Sequence, residues 1–254
     1  MMDRNLTDDA IRLMLTNRKL LVVGGASGIG LATVELIAGS TATMAIIDRN
    51  AEALSPIGPR LGTHIFSADV TDPGGLRSAI DQAGVALGGI DGLILTAGIG
   101  SMVRFADLDP ADWDKVIAVN LTGNFLACRF ALPYLQRHNH ATIVTTASAT
   151  GLLPSSPGLS AYAASKGGLI AFSKALASEL APKIRVNCVC PGPVETPLLP
   201  DSFRKAVKRT GSGYPMQRAA EAAEVARLIL FLTSHASSYV NGSTIAIDGG
   251  RTLH

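Results

Sequence analysis

Short apolar segments alternate with longer helical segments along almost the whole chain. Seven of the apolar segments are five to seven residues long, rich in Val, Ile and Leu, and apolar on both faces. This pattern is typical of parallel strands that are covered on both sides of a sheet. We predict strands at Lys19–Gly25, Ala42–Asp48, Thr63–Ser67, Gly92–Thr96, Ala141–Thr146, Arg185–Cys190 and Ser243–Asp248.

The segments between these strands carry helix signals. A capping aspartate followed by proline opens two of them, at Asp72-Pro73 and Asp109-Pro110, and both residue types favour helix N-termini. Strands that alternate with helices imply right-handed crossovers. We therefore predict an α/β fold: a Rossmann-like, doubly wound, seven-stranded and mainly parallel sheet with helices on both faces. The predicted helices are Ile29–Ile37, Thr71–Leu87, Asp109–Arg137, Ser160–Leu180 and Glu221–Leu232.

Length and composition limit how the chain is organised. Its 254 residues, 47% of them hydrophobic, suffice for one domain with a substantial core. We predict that this domain spans residues 17–254 and that residues 1–16 form an appended arm or short helix.

Charge, apolar stretches and cysteine content indicate which partners and which cell compartment the protein has. The 22 basic and 20 acidic residues nearly balance, which disfavours nucleic acid as the main partner. The N-terminus lacks the apolar core of a signal peptide, and the longest uncharged stretch is too rich in Ser, Thr, Gly and Pro for a membrane span. Three cysteines without a metal-ligand pattern suit a reducing compartment. We predict a cytoplasmic protein with no bound metal and no membrane partner.

A glycine-rich turn lies between the first predicted strand and the first predicted helix. Gly24, Gly28 and Gly30 permit a tight turn in which backbone N–H groups approach a pyrophosphate at the positive end of the helix. The spacing G-x3-G-x-G matches the general dinucleotide fingerprint G-x-G-x-x-G only in part. The turn by itself therefore does not establish a nucleotide site.

The ends of the next strands supply polar groups at the edge where such sheets bind ligands. Asp48 ends the second strand, eighteen residues after Gly30. A carboxylate at this point accepts hydrogen bonds from an adenosine ribose and repels a 2′-phosphate, so it favours NAD over NADP. Arg49 beside it leaves NADP as the less favoured alternative. The third and fourth strands are followed by Asp69-Val70 and Ala97-Gly98.

One pair of side chains is suited to acid–base chemistry. Tyr162 and Lys166 are four residues apart on a predicted helix, so they lie on one face. A cation about 4 Å from a phenol, at an effective dielectric of about 20, is worth about 4 kcal/mol, or roughly three pKa units. We expect Lys166 to lower the pKa of Tyr162 towards neutrality, where acid–base catalysis is most effective.

Taken together, these motifs resemble those of the short-chain dehydrogenase/reductases, from about Lys19 to Gly250. The resemblance implies an oxidoreductase that uses NAD, or less favourably NADP, to interconvert a secondary alcohol and a ketone by hydride transfer. It rests on the ordered set Gly24-x3-Gly28-Ile29-Gly30, Asp69-Val70, Ala97-Gly98, Asn120, Ser148, Tyr162-x3-Lys166, Asn187, Pro191-Gly192, Thr196 and Asp248-Gly249-Gly250.

The resemblance also implies a catalytic tetrad. Tyr162 would be the general acid/base, Lys166 would lower its pKa and bind the nicotinamide ribose, and Ser148 would donate a hydrogen bond to the substrate oxygen. Asn120 would kink its helix and hold a water that links Lys166 to solvent. The implied cofactor contacts are Gly24, Ser27, Gly28, Ile29, Gly30, Asp48, Arg49, Asp69, Val70, Ala97, Gly98, Tyr162, Lys166, Pro191, Gly192, Val194 and Thr196.

Two positions depart from the family pattern. Val23 stands where the family usually has Thr, and Leu95-Thr96 stands where it usually has Asn-Asn. Because both members of a polar contact have changed, we expect an apolar-leaning contact between Val23 and Thr96 in its place.

The loops after Gly98 and Ser148 and the stretch from Pro197 to Met216 are expected to hold the substrate. Their apolar side chains predict a pocket for a neutral secondary alcohol or ketone, with Arg104 and Arg218 as candidates for binding a carboxylate. The predicted pocket residues are Ile99, Met102, Leu152, Leu153, Leu159, Leu198, Leu199, Phe203, Tyr214 and Met216.

Two other functions stay open. An NADPH-dependent 3-oxoacyl carrier-protein reductase has the same motifs, although Asp48 and the lack of a strong basic patch disfavour it. A non-catalytic NAD(H)-binding regulator would keep the fold, although the intact tetrad disfavours it. The resemblance also implies a homo-oligomer, a tetramer or a dimer, in which the helices around Asp112–Arg137 and Ser160–Leu180 pair between subunits.

Overall fold

A parallel sheet forms the centre of the protein. The computed structural model describes residues 10, 13–154, 156–199, 201–207 and 213–253, so most of the predicted arm at residues 1–16 lies outside the described residues. The described strands are β1 (Lys19–Val23), β2 (Thr43–Asp48), β3 (His64–Ser67), β4 (Gly92–Leu95), β5 (Ala141–Thr146), β6 (Ile184–Pro191), β7 (Val194–Glu195), β8 (Ala220–Glu221) and β9 (Thr244–Ile247). Seven of them pair in parallel in the order β3-β2-β1-β4-β5-β6-β9.

Helices connect these strands and cover both faces of the sheet. A π-helical segment, Ala118–Thr122, joins two of them into one long interrupted helix. The described α-helices are α1 (Gly28–Ala38), α2 (Ala51–Leu54), α3 (Ile57–Leu61), α4 (Pro73–Leu87), α5 (Pro110–Ile117), α6 (Gly123–Leu135), α7 (Ala149–Leu152), α8 (Ser160–Leu180), α9 (Asp201–Val207) and α10 (Ala222–Thr233).

The predicted fold class and all seven predicted sheet strands are confirmed. Asp72 and Asp109 cap α4 and α5 through their side chains, as their position before proline predicts. The sequence pattern did not reveal the short helices α2, α3, α7 and α9 or the small β7–β8 pair. These elements are too short to show a hydrophobic period.

The core has one layer on each face of the sheet. Neighbouring residues of β1 point to opposite faces, so Leu21 belongs to one core cluster and Val22 to the other. The first cluster is completed by buried residues of α4, α6 and α8, and the second by buried residues of α1 and α10. Strands buried on both faces explain the nearly continuous apolar runs of the sequence.

Among the described residues, one helical stretch, Pro110–Leu135, is long and apolar enough to cross a bilayer when only its length and composition are considered. Its buried side chains Ala127, Cys128, Ala131 and Leu135 pack in the first core cluster. A buried core helix passes the same test of length and composition, so this helix is accounted for by the fold.

The strand order determines where a ligand can bind. β1 pairs with β2 on one side and with β4 on the other, so the connections leave the carboxyl ends of β1 and β4 in opposite directions. In open α/β sheets this reversal creates a crevice at the carboxyl edge. The predicted glycine turn follows β1, and Ala97-Gly98 follows β4, so both lie at this crevice.

Candidate active site

The glycine turn after β1 has almost no room for side chains. Gly24 has φ +90°, and a Cβ added there would collide with the backbone of Ala97 beyond β4. A Cβ on Gly30 would collide with the carbonyl oxygen of Gly24 and come within 2.6 Å of Thr96 Oγ1. Glycine is therefore required at both positions, and the turn packs tightly against the loop of the neighbouring strand.

Thr96 holds these two loops together through the backbone. Its Oγ1 lies 3.0 Å from the carbonyl oxygens of both Val23 and Gly24 and donates its hydrogen bond to them. The expected apolar-leaning contact between Val23 and Thr96 is therefore wrong. The Thr96 hydroxyl bonds to main-chain carbonyl oxygens, so the two loops keep a polar contact. This contact does not require a polar side chain at position 23.

Asp48 connects β2 to the glycine turn. Its Oδ2 accepts a hydrogen bond from Ala26 N and its Oδ1 accepts one from Asn50 N, each at 3.0 Å. Charge-assisted bonds of this kind fix the carboxylate at the edge of the crevice.

Asp69 lies beside Asp48 at the end of β3. Partial burial alone would raise the pKa of Asp69, but hydrogen bonds from Thr71 and the charge of Arg49 outweigh it and lower the pKa below its usual value. Arg49 Nη1 lies 3.9 Å from Asp69 Oδ2; the arginine side chain is exposed and the aspartate side chain is partly buried. The crevice therefore carries the side chains of two aspartates and one arginine.

Two adjoining cavities follow the carboxyl edge of the sheet. The smaller, of about 280 Å³, brings together most of the residues predicted to bind the adenosine and pyrophosphate end of a dinucleotide. The predicted residues that line it are Gly24, Ser27, Gly28, Ile29, Gly30, Asp48, Arg49, Asp69, Val70, Ala97, Gly98 and Thr196.

The larger cavity, of about 470 Å³, holds the residues predicted for the nicotinamide end and for catalysis. Ile29, Gly98 and Thr196 line both cavities, so the two form one continuous groove. The other predicted residues that line the larger cavity are Ser148, Tyr162, Lys166, Pro191, Gly192 and Val194.

Ser148 and Tyr162 meet in the larger cavity. Ser148 follows β5 and caps α7, where its Oγ accepts a hydrogen bond from Thr150 N at 3.1 Å. Burial raises the pKa of Tyr162 above its ordinary value, and a hydrogen bond with Ser148 opposes this rise only in part. The serine and the phenol are thus a hydrogen-bonded pair that faces one cavity.

Lys166 lies one turn after Tyr162 on α8 but does not lower the pKa of the phenol. Its Nζ is 5.9 Å from the centre of the tyrosine ring and donates a hydrogen bond to Thr146 O at 2.9 Å. Burial lowers the pKa of Lys166 itself to about 8. The expectation of a tyrosine pKa near neutrality is wrong, because burial of the phenol raises its pKa.

Asn120 lies behind the cavities and lines neither of them. It sits in the π-helical segment, which confirms that the long helix is distorted at this residue. Its Oδ1 accepts a bond from Ile99 N at 2.8 Å and its Nδ2 donates to Ile99 O at 3.0 Å. Its own carbonyl oxygen accepts a bond from Asn124 Nδ2 at 2.9 Å. Asn120 therefore clamps the loop after β4 against the interrupted helix.

The groove has the properties that a dinucleotide requires. Glycines form a cradle that any Cβ would fill, and a carboxylate stands at the end of β2. In addition, Thr146 Oγ1 is buried without a hydrogen-bond partner, although Thr146 lines the larger cavity. A buried hydroxyl without a partner is costly, so this position suits a polar group of a bound ligand. The residues present fit a nicotinamide dinucleotide.

Comparison with known proteins identifies the family. Residues 24–252 match the family model described as enoyl-(acyl carrier protein) reductase. The chain is 37% identical over 247 residues to 3-oxoacyl-(acyl-carrier-protein) reductase FabG of Thermotoga maritima, covering 95% of this chain and 100% of that protein. It is 35% identical over 252 residues to cyclopentanol dehydrogenase of Comamonas sp., covering 94% of this chain and 99% of that protein. The chain belongs to the short-chain dehydrogenase/reductase family.

A solved structure supports the same assignment. The short-chain dehydrogenase/reductase from Brucella melitensis described as a glucose/ribitol dehydrogenase superposes with a TM-score of 0.89 at 35% identity, covering 95% of this chain and 99% of that chain. As a short-chain dehydrogenase/reductase, the protein is an oxidoreductase that acts on CH–OH groups with a nicotinamide cofactor.

The substrate end of this dehydrogenase/reductase agrees only in part with the predicted pocket. Leu152 is packed in a core cluster, whereas Leu153 and Met216 are exposed and do not line the cavity. The side chain of Phe203 lies outside the described residues. The predicted residues that do line the cavity are Ile99, Met102, Leu159, Leu198, Leu199 and Tyr214.

The two arginines considered for a carboxylate do not reach this cavity. Arg218 forms a bidentate ion pair with Glu224, at 2.7 Å for each bond, and Arg104 is exposed. Arg251, near the end of the chain, lines the cavity instead. The sequence does not reveal this, because nothing in the order of the motifs indicates that the segment after β9 returns to the site.

Proposed function

We propose that the protein is an NAD(H)-dependent oxidoreductase that interconverts a secondary alcohol and a ketone. The observation that carries this proposal is the convergence of Ser148, Tyr162 and Lys166 on one cavity. That cavity continues into a crevice whose far end presents the Asp48 carboxylate. An acid–base group and a place for a hydride carrier are thus parts of one groove.

Tyr162 is the proposed general acid/base. Its phenolate would take up the alcohol proton during oxidation, and its hydroxyl would give a proton to the carbonyl oxygen during reduction. Ser148, which is hydrogen-bonded to Tyr162, would donate to the same substrate oxygen and stabilise the charge that develops there. A bound nicotinamide supplies or accepts the hydride.

Lys166 and Asn120 would support this proton transfer. Lys166 would hold the nicotinamide ribose with its buried ammonium, whose pKa of about 8 lets it release a proton close to neutral pH. Asn120 fixes Ile99 and thereby the loop that carries Gly98. A Cβ on Gly98 would lie 3.3 Å from Lys166 Nζ, so this loop also confines the lysine.

The preference for NAD rests on Asp48. The carboxylate lines the smaller cavity, and its position is fixed by two backbone N–H groups. A carboxylate at this position would repel the 2′-phosphate of NADP and accept hydrogen bonds from a ribose hydroxyl. We expect Asp48→Ser to reduce the ratio of kcat/KM for NAD to that for NADP by about tenfold or more. An unchanged ratio would contradict the assigned role of Asp48.

Tyr162→Phe tests the proposed reaction. The variant should lose alcohol- or ketone-dependent turnover across a broad panel, while its affinity for NADH, measured by fluorescence, stays close to that of the wild type. Tyr214→Phe is a suitable control, because it removes a second phenol from the same cavity without touching the proposed acid/base. A Tyr162→Phe variant that keeps its turnover refutes the proposed role, and a wild type inactive with every substrate favours the non-catalytic regulator.

A second candidate is a 3-oxoacyl carrier-protein reductase that uses NADPH. The similarity to Thermotoga maritima FabG favours it. Reduction of acetoacetyl carrier protein with NADPH, compared with reduction of simple ketones with NADH, separates the two candidates. We expect the reduction of simple ketones with NADH to be faster, because the Asp48 carboxylate disfavours NADPH.

We also propose a homo-oligomer, a tetramer or a dimer, in the cytoplasm. Trp113 on α5 and Phe125 on α6 are large apolar side chains that are 37% and 45% exposed, as expected where long helices pair between subunits. The free thiols of Cys128, Cys188 and Cys190 suit a reducing compartment. Light scattering of the wild type and of Phe125→Glu tests the assembly, and cell fractionation tests the location.

A further inference from the structure

The entrance of the larger cavity carries large apolar side chains that are exposed to solvent. Met102 and Leu198 line the cavity and are 53% and 52% exposed. Leu153 and Met216 do not line it and are 50% and 59% exposed. Single apolar side chains scattered over a surface are ordinary, whereas a group of them beside a cavity marks a surface that binds a ligand. We refer to Met102, Leu153, Leu198 and Met216 as the apolar rim.

Contacts with the turn after β9 place Leu153 and Met216 beside the cavity. Leu153 O accepts a hydrogen bond at 2.9 Å from Arg251, which lines the cavity. Met216 N donates to Gly249 O at 3.2 Å, and a Cβ added to Gly249 would lie 3.3 Å from the Met216 side chain. Arg251 follows Gly249 closely in the chain, so one turn joins these two rim residues at the edge of the cavity.

The other two rim residues belong to the loop after β4 and to the segment after β7. Gly100 and Met102 lie on the loop after β4, and Leu198 follows β7. A Cβ added to Gly100 would lie 3.4 Å from Leu198 Cδ1, so the two segments meet at the cavity. Separate segments of the chain therefore supply the rim, and the apolar face of a single helix does not account for it.

The larger cavity has to hold the nicotinamide as well as the reacting part of the substrate. The implied nicotinamide contacts Pro191, Gly192 and Val194 line the same volume of about 470 Å³ as Tyr162. Pockets of about 300–1,000 Å³ typically enclose one small ligand. The space beside a bound nicotinamide is therefore sufficient only for a small group around the reacting carbon. A longer chain has to leave through the entrance, where it meets the apolar rim.

We propose that the apolar rim binds the alkyl tail of the substrate, so that the preferred substrates are secondary alcohols and ketones whose chain is longer than the cavity holds. This inference rests on the proposed redox function, which leaves the length of the chain open. Methionine is unbranched and adapts its shape to what it contacts, so Met102 and Met216 suit a flexible tail.

Calorimetric titration of the NAD-saturated protein with straight-chain 2-alkanones, from 2-butanone to 2-decanone, tests this proposal. A ketone cannot be reduced while the bound cofactor is NAD, so the titration measures binding alone. The rim variant combines Leu153→Ser with Met216→Ser, because neither side chain lines either cavity. Leu153→Met combined with Met216→Leu keeps the rim apolar. Leu13→Ser is the matched control, since Leu13 is 77% exposed and precedes β1, at the edge of the sheet opposite to the crevice.

We expect the affinity to rise about twofold for each CH₂ beyond 2-hexanone, because full burial of a CH₂ is worth about fourfold and the rim leaves one side of the tail in water. The rim variant should bind 2-decanone about tenfold more weakly than the wild type and 2-butanone equally well. The variant with an apolar rim and Leu13→Ser should both bind as the wild type does.

An affinity that stops rising at 2-hexanone, a rim variant that binds 2-decanone like the wild type, or an equal loss in Leu13→Ser overturns the proposal. So does a rim variant with an unchanged dependence on chain length but an altered mass in light scattering, which would assign the rim to contacts between copies of the chain. Failure of the redox function shows separately, as a protein that binds long ketones in this pattern but oxidises no NADH with them.

Discussion

Asn120 Nδ2 donates a hydrogen bond to Ser165 Oγ across 3.1 Å, and Ser165 Oγ donates to the carbonyl oxygen of Tyr162 at 2.8 Å. Asn120 and Ser165 are both fully buried. The two bonds join the π-helical segment to the first turns of α8. The position of the phenol therefore depends on Ser165, a positioning residue that lines neither cavity.

Ser165→Ala should lower kcat about tenfold or more while KM changes little, because small displacements of a catalytic group are costly. It should also reduce the free energy of unfolding by about 1–3 kcal/mol, since the Asn120 amide loses its buried acceptor. Denaturant unfolding and steady-state kinetics as a function of pH measure both effects. Ser173→Ala is the matched control: Ser173 is buried on α8 and donates to Leu169 O, so it should cost stability without changing kcat. Equal effects of the two variants on kcat would contradict a positioning role for Ser165.

Lys166→Met should make the protein more stable at neutral pH. Burial lowers the lysine pKa from 10.5 to about 8, which corresponds to a penalty of about 3 kcal/mol for the charged form. The lost hydrogen bond to Thr146 O offsets about 1 kcal/mol of this. We therefore expect a net gain of about 2 kcal/mol in the free energy of unfolding, together with a loss of turnover.

The pH dependence of this gain has a definite sign. Between about pH 8 and pH 10.5 the unfolded chain keeps the lysine proton and the folded protein has released it, so wild-type stability rises with pH in this window. The advantage of Lys166→Met should be largest below pH 8 and should shrink towards pH 10.5. Lys174→Met, at an exposed position of α8, should show no such trend. If the stability difference between Lys166→Met and the wild type stays constant from about pH 8 to pH 10.5, the pKa of Lys166 is not lowered in the folded protein.

The phenol of Tyr162 should ionise only above the ordinary pKa of tyrosine in protein without added cofactor, because burial raises its pKa and Lys166 does not compensate. The difference in near-ultraviolet phenolate absorbance between the wild type and Tyr162→Phe isolates this group from the other tyrosines. Ser148→Ala should raise the pKa further, since the hydrogen bond from Ser148 lowers it. A transition near neutral pH would restore the original expectation from the Tyr–Lys spacing.

The fold could be predicted because its signals are local and repeated. The strand at Ala141–Thr146 and the helix at Ser160–Leu180 appear in the structure with the predicted ends, since apolar runs and helix periods depend on neighbours in the chain. The groove followed from strand order, because residues after β1, β2 and β4 must meet at one edge.

The electrostatics of the site could not be predicted in this way. Spacing places Tyr162 and Lys166 on one face of a helix, but it does not reveal that Nζ turns to Thr146 O or that burial dominates both pKa values. Ser165 and Arg251 reach the site through contacts between distant segments. The Asn120–Asn124 spacing of four residues was the one local signal that could have indicated a side chain bonded to the π-helical backbone.

Thr146→Val should weaken the binding of NADH about fivefold, as expected for the loss of one hydrogen bond. Thr146 Oγ1 is buried without a partner in the larger cavity, so its partner should belong to the nicotinamide half of the cofactor. ADP-ribose lacks the nicotinamide and should bind equally to both proteins. Thr146→Ser should restore NADH affinity. Equal weakening of NADH and ADP-ribose would assign the effect to a general disturbance of the groove.

Gly30→Ala tests how tightly the turn after β1 must close. Alanine usually stabilises a helix by about 1 kcal/mol relative to glycine, and Gly30 lies in the first turn of α1. Here the added Cβ would collide with Gly24 O, and a main-chain atom held between β1 and β4 cannot move aside as a flexible side chain can. We expect a loss of about 1–3 kcal/mol of stability and a loss of affinity for both NADH and ADP-ribose.

Gly74→Ala is the matched control. It lies in the first turn of α4, where the added Cβ meets no atom closer than 3.6 Å, so it should be neutral or stabilising. If both variants behave alike, the turn can open, and the close packing of Gly30 against Gly24 does not define the nucleotide site.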